Sequence, residues 1–98
     1  MQNYYLLRSR QNGEYIAARQ PAQTEDQPPQ RYVLLFKHDH DAMGYLNAHA
    51  AEVSDRFAVE MSSLRQIKPM LERFGFTGIG FVSDPLVPHV DFMEQRFF

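Results

Sequence analysis

Four consecutive residues, His38-Asp39-His40-Asp41, carry the densest chemistry in the chain. Imidazoles and carboxylates ligate zinc, nickel or iron, and His49 follows nine residues after His40. His38, His40 and His49 are therefore the candidate metal ligands. A metal site requires several such groups to converge. An extended chain would put His38 and His40 on one face, whereas a helix would part them by about 200°, from ~100° per residue. The acids have a commoner explanation. Asp39 is a preferred helix N-cap type, and Asp41 would fall in the first turn, where a carboxylate meets the positive end of the helix dipole. The imidazoles also titrate near neutrality, but general acid–base work needs a partner and a pocket, and the sequence shows neither. His89, after Pro88, reads as a loop residue.

The other chemical motifs are weaker. Gly75-Phe76-Thr77-Gly78-Ile79-Gly80 has the glycines of a phosphate loop in reversed spacing, running from a helix into a strand. Phosphate binding uses a helix N-terminus, which this order does not supply. A helix stop at Gly75 and close packing at Gly78 and Gly80 explain the glycines better. There is no Gly-x-Ser-x-Gly elbow, no Gly-Lys-Ser/Thr loop and no His-Glu-x-x-His. The carboxylates are scattered, with Glu52, Asp55 and Glu60 the nearest set. The chain has no cysteine, which excludes thiol nucleophiles, disulfides and cysteine metal sites. No catalytic residue and no cofactor is expected, and the balance leans away from an enzyme.

Charge and length narrow the class. The 98 residues suit one domain, and no apolar run approaches the ~20 residues of a membrane span. The first residues lack the basic and apolar regions of a signal peptide, so a cytoplasmic location is expected. Tyr4, Tyr5, Arg8, Arg10, Tyr15 and Arg19 mix rings with basic groups, as single-strand nucleic-acid surfaces do. Yet residues 1–37 hold five basic and three acidic groups, and residues 38–98 hold five and nine, for a net charge of -2. That balance argues against nucleic acid.

These residues must be positioned by an α+β or α/β fold. Tyr4-Tyr5-Leu6-Leu7 and Glu14-Tyr15-Ile16-Ala17 flank Asn12-Gly13, the signature of a hairpin with a two-residue type I′ turn. That register would set Gln11 opposite Glu14 and Ser9 opposite Ile16. Residues 20–30, with three prolines and little apolar content, read as a mobile loop. The unalternated run Tyr32-Val33-Leu34-Leu35-Phe36 suits a central strand buried on both faces. Met43, Leu46, Ala50 and Val53 then follow helical spacing, and Phe57, Val59 and Met61 alternate as in a half-buried strand. Ser63 with Gln66 makes a capping box for a helix carrying Leu64, Ile67, Leu71 and Phe74, ended by Gly75. Pro69 would kink that helix or belong to its first turn. Residues 78–82 form a strand, Asp84-Pro85 a turn, and Val90 with Phe92 an edge strand. The order β-β-β-α-β-α-β-(β) implies a mixed sheet of five or six strands in a single domain, with two helices placed most simply on one face.

From Tyr32 to Phe92 these signals resemble the N-terminal domain of the bacterial enhanced serine sensitivity protein family. The matching segments are Val33-Leu34-Leu35-Phe36, Phe57-Ala58-Val59, Leu64–Phe74 and Gly78-Ile79-Gly80-Phe81-Val82-Ser83-Asp84-Pro85, with Asp84 where that family usually has Asn. The resemblance implies an α/β sheet and brings no catalytic residues. The opening hairpin and the Pro-rich loop lie outside it.

Phe92, Met93, Phe97 and Phe98 place four large apolar side chains near the C-terminal end of the sequence. Burying each is worth roughly 1.5–3 kcal/mol, so they need a surface. One surface is their own domain, beneath the helices; the other is a protein partner, most simply a second copy of the chain, and for that reading these four are the candidate interaction residues. The functional expectation is an interaction or regulatory module that self-associates. The alternative is a small metal- or ligand-binding protein built on residues 38–49.

Overall fold

The computed structural model describes residues 2–21, 24–86 and 89–95. Along them run β1 (Asn3–Ser9), β2 (Ala17–Gln20), β3 (Gln30–Phe36), α1 (Asp39–His49), a 3-10 helix at Ala51–Arg56, β4 (Phe57–Ser63), α2 (Leu64–Phe74), β5 (Gly78–Asp84) and β6 (His89–Glu94). The strands form one mixed six-stranded sheet, ordered β4-β1-β3-β5-β6, with β2 also paired to β3. β3 and β5 are parallel, and the other pairings are antiparallel. This is the α+β architecture that the order of sequence signals implies. Phe97 and Phe98 lie outside the described residues. No helix of the described residues is long and apolar enough to cross a membrane.

The apolar run of β3 governs the layering. Side chains of a strand alternate between faces, so five consecutive apolar residues load both. Val33 and Leu35 join Leu6, Ile79, Ile67 and Leu71 on the α2 side, with Phe76 closing that cluster. Leu34 and Phe36 join Leu7, Val82, Ala42 and Leu46 on the α1 side. The helices therefore cover opposite faces rather than one. A one-sided arrangement would leave Leu34 and Phe36 in water, and each is worth roughly 1.5–3 kcal/mol when buried.

The opening hairpin differs from the two-residue turn its Asn-Gly pair suggests. Ser9 N–H donates to Glu14 O (2.7 Å), and Arg8 bridges Tyr15, which slips the register by two residues. Among the described non-glycine residues none has positive φ, so Asn12 cannot supply half of a type I′ turn; Gly13 alone does, at φ 75°. Local side-chain bonds stabilise the longer loop. Ser9 Oγ accepts from the N–H groups of Gln11 and Asn12, and Asn12 Oδ1 accepts from Glu14 N–H. β1 then pairs along its length with β4, not with β2. Residues 20 and 30 pair with each other at the end of the β2–β3 ladder, so the Pro-rich connection is two residues shorter than its composition suggests.

α2 follows its sequence signals closely. Ser63 N–H donates to Gln66 Oε1 (3.0 Å), and Gln66 N–H donates back to Ser63 Oγ (3.3 Å). Gly75 ends the helix in the left-handed conformation, at φ 72°. Pro69 stands in the second turn on the exposed side, where water can reach the Arg65 carbonyl left without its helix donor. Leu64, expected on the buried face, is instead 41% exposed. α1 starts less tidily. His38, not Asp39, is the N-cap residue and makes no side-chain cap bond, while the Asp39 carboxylate accepts from His40 N–H (2.7 Å). The helix stops at Ala50, before Val53, and Met43 is exposed.

β5 needs its glycines. A Cβ on Gly78 would fall on the main-chain carbonyl of Met93, and one on Gly80 would press on Val90, Leu34 and Phe92. Gly78→Ala is accordingly expected to destabilise by about 1–3 kcal/mol through overpacking, and Ser63→Ala by about 1 kcal/mol through loss of the cap. Urea unfolding of both variants checks this. A neutral Gly78→Ala would mean that β6 does not lie against β5 as described.

Candidate functional site

The histidines sit at the exposed start of α1 and at its far end. The rings of His38 and His40 stack, with centroids 5.1 Å apart and planes 7° from parallel. Nδ1 and Nε2 of His40 lie 3.8 and 3.5 Å from the Asp39 and Asp41 carboxylates. His49 does not join them: its Nε2 is 3.0 Å from Pro85 O and its ring rests on Tyr45. The structure thus brings together two of the three candidate ligands. Among the described residues, no group of three or more His, Asp or Glu side chains could hold a metal ion. His40 and Asp39 also border an open groove of about 630 Å³ between α1 and the β1–β4 pair, where Met43 and Met61 are exposed.

A better-built polar cluster lies on the α2 side. Tyr15 OH donates to Glu60 Oε2 at 2.5 Å, Arg8 Nη1 lies 3.5 Å from Glu60 Oε1, and the Arg8 guanidinium covers the Tyr15 ring at 5.0 Å. Arg8 Nε further donates to Gly13 O, so one side chain ties the hairpin loop to β4. Burial, then the Glu60 hydrogen bond and charge, push the Tyr15 phenol from 10.0 up to about 12. The sequence hides this cluster because 45 residues separate Tyr15 from Glu60. The usable signal is the β1–β4 register: Leu6 faces Glu60, so Arg8 is its diagonal neighbour on the same face. Tyr15, Glu60 and Arg8 each bond within the fold, which marks the cluster as a brace for the hairpin.

β6 is of another kind. Among the described residues it pairs with β5 on one side and ends the sheet on the other. Val90 packs into the α1-side core, and Phe92, next along that face, tilts over Tyr32 with ring centroids 4.8 Å apart. On the α2 side Asp91 and Met93 line an apolar groove of about 420 Å³ with Tyr4, Leu64, Ile79 and Phe81. Phe92 remains 41% exposed and Met93 46%. Two large apolar side chains thus stand half in water, one on each face of an edge strand. The opposite edge, β4, exposes Met61 as its large apolar side chain.

Compared with protein-family models, with curated proteins and with solved structures, the chain matches none.

Tyr15 gives a pH-dependent test of the brace. The native state favours the protonated phenol, so this group's contribution is complete below about pH 10 and is lost as pH rises toward about 12. Burial also pushes the Tyr32 phenol up, so absorbance titration is expected to show two late-ionising tyrosines, of which Tyr15→Phe removes one, with a shallower fall in stability over that window. Unchanged late titration in Tyr15→Phe would contradict the arrangement.

Proposed function

We propose that the chain is an interaction or regulatory module that works by docking another protein chain along β6. The observation that carries this reading is the edge strand itself, with Phe92 and Met93 half exposed on its two faces. Apolar surface beside an open strand edge is what strand-addition interfaces use: main-chain bonds supply affinity and the flanking side chains specificity. The built polar groups elsewhere support the same reading, because Tyr15, Glu60 and Arg8 satisfy one another. A cytoplasmic setting suits the cysteine-free sequence. The order of signals over residues 32–92 supports a bacterial origin and a relationship to the enhanced serine sensitivity family, which supplies no catalytic residue. The net charge of -2 supports a protein rather than a nucleic-acid partner.

If β6 is a contact surface, its exposed side chains are not needed to hold the domain together. Phe92→Lys and Met93→Lys should each leave a dilute sample folded, with the melting temperature lowered by several degrees at most, since a half-exposed side chain contributes only part of the roughly 1.5–3 kcal/mol of full burial. A collapse of the melting temperature in both variants would show that these residues close the domain's own core, and the docking reading would fall.

A further inference from the structure

We propose that the chain docked on β6 is a second copy of this protein, joined antiparallel so that Phe92 faces Phe92 across a two-fold axis. This rests on the reading of β6 as a contact strand and adds to it the partner and the register.

The main chain of β6 shows which groups are available. Gln95 N–H donates to Thr77 O, Ser83 Oγ donates to His89 O, and the Met93 carbonyl lies against Gly78. Odd-numbered residues therefore turn their N–H and C=O groups toward β5. By the alternation of a strand, Val90 and Phe92 present theirs to the outer edge, where the described residues place no strand.

Charge selects the register. A two-fold axis normal to the sheet opposes residues of the same face, so allowed registers differ by steps of two. Centring on Asp91 would oppose two carboxylates, which is destabilising. Centring on Met93 shortens the described overlap to residues 91–95. Centring on Phe92 pairs the strand over residues 89–95. It sets Asp91 opposite Met93, Val90 opposite Glu94 and His89 opposite Gln95, and opposes no like charges. Phe92 then exchanges both main-chain bonds with its symmetry mate, and its ring covers the other ring on the α1 side. The grooves beside Met93 become continuous on the α2 side. The edge can thus pair with itself over its whole described length, ring on ring and without opposing like charges, and a second copy is the occupant that meets those terms.

The absence of cysteine makes the test clean. Asp91→Cys and Met93→Cys chains, mixed and mildly oxidised, should form a covalent dimer. Opposed residues of a non-hydrogen-bonded pair sit about 4.5 Å apart between Cα atoms, inside the disulfide range. Either variant alone should give at least tenfold less, because its own symmetry mate lies about 8 Å away, from a rise of about 3.4 Å per residue. His89→Cys with Gln95→Cys tests the same register should the first pair fold poorly. Strong cross-linking of Asp91→Cys alone would overturn the register. A folded chain whose sedimenting mass stays that of a monomer at high concentration would overturn the second copy. With Phe92→Lys and Met93→Lys stable, the contact-strand reading would survive that loss. If those variants unfold, both fall together.

Discussion

The structure depends on one strand that cannot show either face to water. Val33, Leu34, Leu35 and Phe36 of β3 are all at most 2% exposed. Such a strand must be flanked within its sheet and covered above and below. The flanking comes from β1 and β2 on one side and β5 on the other. The covering comes from α1 on one face and α2 on the other, each inserted in a crossover between strands. Arg31 helps lock the arrangement, with its guanidinium 4.6 Å from the centre of the Phe76 ring and Nη1 3.4 Å from Phe74 O. Two helices of eleven residues cover the middle of the sheet but not its margin. β6 is where the cover runs out, and its apolar side chains inherit the deficit.

What the sequence made legible follows from range. The capping box at Ser63, the left-handed stop at Gly75 and the buried run of β3 are local signals, and each stands where its residues suggest. The hairpin register did not, because Ser9 and Asn12 side chains could satisfy a longer loop that the Asn-Gly pair alone does not reveal. The placement of the helices on both faces was implied by the unalternated run in β3, yet the element order by itself is compatible with one covered face. The start of α1 misled for a similar reason: Asp39 bonds one helix N–H from inside the first turn rather than from the cap position.

The candidate sites divide along the same line. Spacing alone identified His38, His40 and His49, and the fold then drew two together and gave the third to Pro85 O. The Tyr15–Glu60–Arg8 cluster has the distances of a functional site, but it depends on a register between remote strands and spends its bonds within the domain. Phe92 and Met93 were conspicuous as composition, and their meaning came only with topology: an edge strand turns two exposed side chains into a strip with open main-chain groups between them. Function in this chain is therefore argued from what the fold leaves uncovered.

Amide hydrogen exchange along β6, followed over a range of protein concentration, tests that claim most directly. The N–H groups of Asp91 and Met93 turn toward β5 and should be protected at every concentration. Those of Val90 and Phe92 turn outward and should exchange fast in dilute solution, gaining protection as second copies pair. Equal and strong protection of Phe92 in the most dilute sample would contradict the open edge. Fast exchange at Phe92 that no concentration slows would contradict the pairing.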